Sequence, residues 1–349
     1  MGNAISKLTI KGYKSIRSLE NFELQNINIL IGPNGSGKSN FLSFFRLLEE
    51  ISKGEDYLQR YVKYVGGADK LLYLGTKETS RAEVDILFFD ANGTRFYLKV
   101  TQDYKLEYVQ MGNIETTGLD DSKRSPYLES KMKEIYSNYK LYHFNDTSDL
   151  AGVKRPNSEG NFDYLFPDGS NLAPFLFRLK SKQTRDYQAI IDVIRLAAPF
   201  FNDFKFDINE QSGDVKWWWS QKGSDYQYHP SQISDGTLRF ICLATALLQP
   251  NPPSTILLDE PELGLHPMAL KLFSDMVKKA SLKTQIIIAT QSASLISHFA
   301  PEDIVIVERK NEESVFRRLP LEKLKQWLDD YSLGELWEMH LLEGRPENE

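Results

Sequence analysis

Eight residues near the start of the chain, GPNGSGKS, match the pattern G-x-x-x-x-G-K-[ST] in full. The glycines let backbone N–H groups curve around phosphate oxygens, and the N-terminus of the following helix adds a favourable dipole. Lys38 is expected to reach the β- and γ-phosphates, and Ser39 to ligate Mg²⁺. A glycine loop without a ligand is the alternative, but an apolar strand before the loop and a helical pattern after it favour phosphate binding. The predicted binding residues are Gly32, Pro33, Asn34, Gly35, Ser36, Gly37, Lys38, Ser39 and Asn40.

Two adjacent carboxylates, Asp259 and Glu260, follow apolar residues in the stretch ILLDEPELGLHP. A buried strand would deliver both side chains to its carboxyl end. Asp259 is then expected to hold Mg²⁺, directly or through water, and Glu260 to polarise an attacking water as general base. An acidic strand end that only meets solvent is the alternative. His266, followed by Pro267, fits a contact to a partner's site and a structural role equally well.

A third polar strand end lies in IIIATQSASLI, where an apolar run ends at Thr290, Gln291 and Ser292. A polar side chain at this position would face the γ-phosphate. We therefore predict that Gln291 orients the attacking water, as a glutamine does in some GTPases. The alternative is a polar loop residue that caps the next helix.

The stretch SQISDGTLRF places Ser234, Asp235 and Gly236 before an amphipathic helix. Ser234 or Asp235 would be sufficient as a simple N-cap. Exposed N–H groups at a helix start, together with a serine hydroxyl, also form an anion site. Because the chain already has one phosphate loop, a second phosphate-binding corner makes sense if it serves the nucleotide of another molecule.

Composition limits the classes of protein that remain. The 349 residues carry 42 basic and 48 acidic side chains, a formal charge of −6, so bulk charge gives no support for nucleic acid as the main partner.

Cys242 is the single cysteine, lies in an apolar run and is predicted to be a buried small hydrophobe, which fits a reducing cytoplasm. No apolar run approaches the ~20 residues that a membrane span needs. The start MGNAIS matches a myristoylation pattern, but a first strand is the simpler interpretation.

Apolar periodicity divides the chain into recognisable elements. Residues 81–110 read as antiparallel strands with a hairpin around Asn92-Gly93. Residues 120–200 read as mixed and mostly helical. Trp217, Trp218 and Trp219 are interpreted as core plus sheet face rather than a base-stacking platform. After residue 231 strands and helices alternate, which predicts a parallel sheet with its ligand at the strands' carboxyl ends. The helices predicted there cover about 236–248, 267–280 and 293–299.

The order of these motifs resembles the heads of ABC-type ATPases. It is closest to the RecF/SMC/OLD-like branch, and particularly to bacterial ATPases of the AAA_21 type, which it resembles in SDGTLRF, LLDEPELGLHP, ATQS and WLDDYSLGELW. The resemblance covers nearly the whole chain. It implies an α/β fold of the P-loop NTPase, ABC-type head class: a mixed or parallel sheet flanked by helices, with an antiparallel β subdomain and a helical lobe.

The resemblance also implies roles for individual residues. Lys38, Ser39, Asp259 and Glu260 carry over directly, and Ser234 and Gly236 carry over as the signature motif that closes on ATP held by the opposite subunit. Two departures stand out. The family's signature is usually Ser-Gly-Gly, but Asp235 occupies its middle position, where it is expected to cap the helix or meet Arg239. The switch position is usually histidine, but it is Gln291 here. Asn145, after a predicted strand, is the candidate for the family's glutamine-loop ligand to Mg²⁺.

Four segments are expected: an N-terminal P-loop and antiparallel β part (1–115), a helical and β insertion (116–230), a signature, Walker B and switch part (231–320), and a helical tail (321–349). In the tail, Leu321, Leu324, Trp327 and Leu328 have helical spacing, and both packing on the core and docking of a partner remain open.

The leading functional expectation is a cytoplasmic, Mg²⁺-dependent ATPase that forms an ATP-dependent homodimer or higher oligomer. It would act as a clamp whose closure controls DNA or a separate effector, such as a nuclease in anti-phage defence or DNA repair.

The alternative is the motor subunit of a membrane transporter, which would need a separate membrane partner. Thr237 stands where a transporter signature has glutamine, and this argues against that class. An intrinsic Toprim nuclease is not expected, because only about forty residues follow Glu308 and no Asp-x-Asp occurs among them.

Overall fold

The computed structural model describes residues 4–89, 93–101, 103–114, 133–158, 164–209 and 211–342. The chain forms two compact units. The first contains Met1–Leu141, Ser254–Leu257 and Lys283–Glu349, and the second contains Tyr142–Pro253 and Leu258–Leu282. Within the described residues, no helix is both long enough and apolar enough to cross a membrane. The four segments expected from the sequence stay a prediction.

The strands are β1 (Ile5–Tyr13), β2 (Ile16–Glu23), β3 (Ile27–Ile31), β4 (Arg81–Phe88), β5 (Gly93–Val100), β6 (Leu106–Ile114), β7 (Tyr139–Tyr142), β8 (Asn157–Ser158), β9 (Phe201–Ile208), β10 (Asp214–Gln221), β11 (Gln227–Tyr228), β12 (Thr255–Asp259), β13 (Gln285–Thr290), β14 (Ile304–Lys310) and β15 (Glu313–Arg318). The principal helices are α1 (Lys38–Lys53), α2 (Glu55–Tyr64), α3 (Leu172–Lys182), α4 (Thr184–Ala197), α5 (Asp235–Leu248), α6 (Pro267–Ala280), α7 (Ala293–Ile296), α8 (Leu321–Leu328) and α9 (Leu333–Glu338).

A six-stranded sheet has the order β15-β14-β3-β13-β12-β7. Strands β13 and β14 both pair with β3 in parallel, and β14 and β15 form an antiparallel hairpin. Strands β3 and β13 are buried along their whole length, as expected for parallel strands covered on both faces. The mixed or parallel α/β sheet predicted from the sequence is confirmed.

A second sheet in the first unit is antiparallel, with the order β2-β1-β4-β5-β6. Strands β4 and β5 pair as the predicted hairpin; Asn92 lies outside the described residues, and Gly93 begins β5. Helix α1 packs its aromatic side chains into the core of this unit, where the rings of Phe41 and Phe45 meet edge to face. Gly54 ends α1 with a φ of 111°, which lies in a region that L-residues rarely adopt.

The second unit contains a four-stranded antiparallel sheet, with β10 paired to β8, β9 and β11. Trp217 and Trp219 are buried, and the indole N–H of Trp217 donates to the carbonyl of Val153 at 3.1 Å. Trp218 points to the other face and is half-buried. The interpretation of the three tryptophans as core plus sheet face is confirmed. Cys242 is buried in α5, also as predicted.

One predicted helix is too long. The sequence suggested 293–299, but α7 ends at Ile296. Pro301 prevents the helix from resuming further on, because the residue before a proline is biased away from the helical region, and Ala300 has an extended ψ of 150°. In the tail, Leu324 is buried but Trp327 is 45% exposed, so the predicted apolar stripe of α8 is only partly covered. The side chain of Leu321 lies outside the described residues.

Candidate functional site

The loop GPNGSGKS joins β3 to α1. Gly35 and Gly37 have φ of 76° and 108°, so both adopt left-handed backbone conformations before the helix begins at Lys38. The amine of Lys38 lies inside the loop and donates to the carbonyls of Gly32 and Pro33 at 2.6 and 3.0 Å. Asn34 and Gly35 are exposed at its rim. A buried cation is therefore surrounded by a loop of backbone amides, an arrangement suited to a phosphate anion.

A cluster of small polar side chains supports the loop from behind. The hydroxyl of Ser314 lies 2.7 Å from the carbonyl oxygen of Ser36 and 2.7 Å from the hydroxyl of Ser15. The amide of Asn40 donates to the same Ser15 oxygen at 2.8 Å. Sequence analysis identified Asn40 but missed Ser15 and Ser314. No spacing pattern relates residues that stand almost 300 positions apart, so the sequence holds no signal for this contact.

The support also explains one of the loop glycines. A Cβ atom at Gly37 would overlap the Ser314 hydroxyl and would lie 2.8 Å from the Ser15 hydroxyl. At Gly35 a Cβ would meet nothing within 4 Å. Gly37 is thus required by both its left-handed backbone and its close packing, whereas the described residues restrict Gly35 through its backbone alone.

Gln291 leaves the sheet beside the start of the phosphate loop. Ile31, the last residue of β3, and Thr290, the last residue of β13, are register partners on neighbouring parallel strands. The structure therefore brings Gly32 and Gln291 together at the carboxyl edge of the sheet. Ser292, and not Gln291, caps α7, because its hydroxyl accepts from the Leu295 N–H at 3.1 Å. The capping alternative for Gln291 is wrong.

Asp259 is the last residue of β12, and Glu260 follows it with φ of 46°. A non-glycine residue in the left-handed region costs about 1–2 kcal/mol. Such strain is concentrated at functional sites, where the surrounding structure holds a side chain in one position. Both carboxylates thus stand at the strand's carboxyl end, where the sequence placed them.

The signature corner lies in the second unit. Ser234 caps α5: its hydroxyl accepts from the Thr237 N–H at 3.3 Å and lies 2.8 Å from the Thr237 hydroxyl. Asp235 does not supply the cap, and Arg239 does not turn to it; the Arg239 guanidinium donates to the carbonyls of Phe144 and Leu263. Both expectations for Asp235 are therefore wrong.

Gly236 contacts the loop that follows β12. A Cβ atom at this position would overlap the carbonyl oxygen of Gly264. Next to this contact lies a cavity of about 140 Å³, at which the N-termini of α5 and α6 meet. His266 caps α6, with its Nδ1 accepting from the Met268 N–H at 3.3 Å, so the structural interpretation of His266 is observed. The cavity residues are Ala197, Ala198, Ser234, Gly236, Thr237, Phe240, Gly264, Leu265, His266 and Ala269.

Large apolar side chains are exposed on the same elements. Leu196 and Phe200 flank the end of α4, and Leu263 and Met268 flank the start of α6, each between 43% and 61% exposed. Asn145, the candidate for the glutamine-loop position, is also exposed and lies three residues beyond the end of β7.

A cleft of about 590 Å³ lies in the first unit and was not predicted from the sequence. Asn40, next to Ser39, reaches this cleft, and so do Ser15, Lys14 and Arg309. Burial, with a smaller contribution from the charge of Arg46, lowers the pKa of Lys14 to about 8. The Lys14 amine donates to Ser43 at 2.8 Å. The cleft therefore offers cationic and hydrogen-bonding groups beside the phosphate loop.

The fold and the phosphate loop define a P-loop ATPase head of the ABC, RecF/SMC-like type. The chain belongs to the AAA_21 family, described as "AAA domain, putative AbiEii toxin, Type IV TA system", whose model matches residues 27–297. No curated protein matches this sequence.

Solved structures of SMC heads share the fold. The crystal structure of the SmcHead bound to the C-winged helix domain of ScpA aligns with a TM-score of 0.63 and 18% identity, over 92% of this chain and 99% of that chain. The Pyrococcus furiosus Smc head with an extended coiled coil, bound to the C-terminal domain of ScpA, gives 0.60 and 16%, over 93% and 98%. The Pyrococcus yayanosii Smc head with a coiled coil and joint gives 0.59 and 14%, over 93% and 99%.

Proposed function

We propose that this protein binds and hydrolyses Mg²⁺-ATP and works as a two-copy clamp that ATP closes. The observation that carries the proposal is the phosphate loop, in which the buried amine of Lys38 is held by the carbonyls of Gly32 and Pro33. These carbonyls keep the cation at the centre of the amide loop until a phosphate replaces them as its partner. The cleft that Asn40 and Lys14 reach has the volume for the nucleoside end of the same ligand.

We assign oxygen donors from three side chains to a hard divalent cation. Ser39 contributes a hydroxyl oxygen and Asp259 a carboxylate oxygen, with Asn145 as a third candidate ligand. Mg²⁺ prefers such oxygen ligands and completes its shell with waters and phosphates. When bound, Mg²⁺ would neutralise charge on the β- and γ-phosphates.

Two residues are assigned to the attacking water. Glu260 accepts its proton as general base, and the left-handed backbone at this position, with φ of 46°, is a strain typical of functional sites. Gln291 orients the same water from the end of β13. Lys38 stabilises charge on the phosphates as the bond to the leaving ADP breaks.

Ser234, Asp235 and Gly236 are assigned to the ATP of a second copy. Ser234 and Asp235 are exposed, and the capped N-termini of α5 and α6 line the same cavity. Exposed apolar side chains on the flanking elements, such as Leu196 and Met268, offer further surface for a protein partner. The negative charge of Asp235 disfavours a nearby phosphate, so the favourable contacts with ATP are assigned to Ser234 and Gly236.

Closure would be passed on to a separate partner. The formal charge of −6 favours an effector protein over DNA as the principal partner. A nuclease controlled in this way, in anti-phage defence or DNA repair in the cytoplasm, fits the proposal.

A Glu260→Gln variant tests the clamp. It keeps every phosphate contact but lacks the general base, so it should accumulate the ATP-bound dimer. We expect its mass by light scattering to double with ATP and Mg²⁺ and to return to the monomer value after chelation. A Lys38→Ala variant should stay monomeric, and Glu338→Gln, on the exposed end of α9, should behave as wild type. A Glu260→Gln protein that stays monomeric at saturating Mg²⁺-ATP would contradict the homodimeric clamp.

A further inference from the structure

The tail helix α9 packs directly on α7, the short helix that follows Gln291. Leu333 and Leu336 are buried, and the N–H of Gly334 donates to the Ser297 hydroxyl at 3.1 Å. The same hydroxyl lies 3.1 Å from the carbonyl oxygen of Ala293, at the first residue of α7. Ser297 therefore joins the two helices through one side chain.

Gly334 is essential to this approach. A Cβ atom there would overlap both the Ser297 hydroxyl and the Ala293 carbonyl oxygen, and would lie 2.9 Å from the Ala293 carbonyl carbon. Two of these atoms belong to the backbone and cannot rotate away. The glycine is needed for contact between backbones, and any side chain would push α9 and α7 apart.

Hydrogen bonds in turn connect helix α7 to the end of β13, on either side of Gln291. Ser292 caps the helix, and its N–H donates to the Thr290 hydroxyl at 2.9 Å. Gln291 is thus held between the end of β13 and a helix only four residues long. A helix this short has little stability of its own, so its position depends on what packs against it.

The tail also contacts the sheet that carries the phosphate loop. The Ser332 and Glu335 side chains form a capping box at the start of α9. Beyond the helix, the Arg317 guanidinium donates to the carbonyl of Leu342 at 3.2 Å and to the Glu308 carboxylate at 2.8 Å. Arg317 lies on β15, the strand that also carries Ser314 behind the phosphate loop.

We infer that α9 is a positioning element for Gln291, with Gly334 as its contact residue. This inference rests on the proposed role of Gln291 in orienting the attacking water. Displacement of α9 shifts α7 and, through Ser292, the glutamine side chain. The phosphate loop keeps its own support from Ser15 and Ser314, so nucleotide affinity does not depend on this contact.

The decisive variant is Gly334→Val, studied in the full chain. We expect kcat for ATP hydrolysis to fall about tenfold or more, because small misplacements of a catalytic group are costly, while the Kd for ATP stays within about twofold. In a Gln291→Ala background, Gly334→Val should cause no further loss of kcat. A purely structural role for α9 would instead give multiplicative losses in the double variant and a weaker Kd for ATP.

A milder pair of variants protects the test against misfolding. Ser297→Ala removes the bridging hydroxyl without a clash and should lower kcat in the same direction. Ser181→Ala is its matched control. The Ser181 hydroxyl also donates to the carbonyl four residues earlier, that of Phe177 at 2.9 Å, but Ser181 lies on α3. Glu338→Val is a control for the substitution itself, because it places a valine at the exposed end of α9. Unchanged kcat in both Gly334→Val and Ser297→Ala would overturn the inference.

Hydrogen exchange separates this inference from the proposed activity. Amides of residues 291–297 should exchange faster in Gly334→Val, while those of α1 keep their wild-type rates. If wild-type protein does not hydrolyse ATP, the proposed function fails, and the exchange pattern alone decides whether α9 positions the Gln291 segment. Equal exchange at 291–297 in wild type and variant would contradict the positioning role.

Discussion

At the scale of single residues, the phosphate loop shows how far a motif can be interpreted. The pattern located Lys38, and the structure places its amine inside the loop, as the chemistry requires. The pattern did not distinguish the roles of the glycines. Gly37 is confined by Ser314, a residue that no local sequence window contains. The predicted contact between Asp235 and Arg239 was wrong for a related reason. Arg239 donates instead to the carbonyls of Phe144 and Leu263, which are distant in sequence.

Gly37→Ala and Gly35→Ala form a matched pair that measures this confinement. Both variants place alanine at positive φ, at a cost of about 1–2 kcal/mol. Only Gly37→Ala also meets Ser314 and Ser15, which adds about 1–3 kcal/mol of overpacking. Urea unfolding without nucleotide should therefore show a larger loss of unfolding free energy for Gly37→Ala. Equal losses would show that the contact with Ser314 has no energetic weight.

Lys14 predicts a pH dependence of ATP affinity. With a pKa of about 8, its amine is mostly charged at pH 7 and mostly neutral at pH 9. If its charge helps to hold the nucleotide, the Kd for ATP should rise up to about tenfold between these values, in proportion to the lost protonated fraction. Lys14→Arg stays charged at both pH values and should show a flat profile. Calorimetric titration measures the Kd for ATP of both proteins at each pH. Identical pH profiles would show that the charge of Lys14 does not contribute to ATP binding.

At the scale of elements, strands and long helices were predictable because their apolar residues follow a simple period. The buried runs of β3 and β13, and the helix that follows the phosphate loop, were identified in this way. Short elements were less predictable, because tertiary contacts define them. Helix α7 ends at Ile296 although the pattern continued, and β8 and β11 are two-residue strands held by pairing to β10.

An ion pair between α1 and β7 has a measurable energetic role. The Lys140 amine lies 2.6 Å from the Glu49 carboxylate, and both side chains are nearly buried. Lys140→Met should lower the free energy of unfolding by about 3 kcal/mol, since it leaves a buried carboxylate with Lys53 at 3.4 Å as a weaker partner. Glu49→Leu combined with Lys140→Met should recover most of the loss.

The control for this pair is Lys99→Met on the antiparallel sheet. The Lys99–Glu107 pair has a similar distance, 3.0 Å, but both side chains are more than 40% exposed. Exposed pairs contribute at most about 1 kcal/mol. A loss at Lys140 no greater than that at Lys99 would mean that burial does not strengthen the pair in α1 and β7.

At the scale of the whole molecule, the proposed clamp divides one active site between two copies. Lys38 lies in the first unit and Ser234 in the second, and the sequence alone suggested that Ser234 serves another molecule. The fold, shared with SMC heads, was also predictable from the order of motifs. The partner was not, because the chain's surface shows which side chains are exposed but not which molecule covers them.

Mixing two inactive variants tests this division. Lys38→Ala and Ser234→Arg should each lack ATP hydrolysis. Mixed at equal concentration, they should recover part of the wild-type activity, because a mixed dimer joins the intact phosphate loop of the Ser234→Arg copy to the intact Ser234 of the Lys38→Ala copy and so has one complete site. If Ser234 served the ATP of its own copy, no mixture would recover activity.

The contact between Ser36 and Ser314 sets an order of events during synthesis. The two residues are 278 positions apart, so at about 5–20 residues per second a ribosome needs roughly 15–55 s to add the second after the first. During that interval the emerging glycine loop lacks its support. A nascent chain should therefore gain its affinity for ATP late, once β15 has been made and has folded onto β14. ATP binding would then begin only when synthesis of the polypeptide is nearly complete.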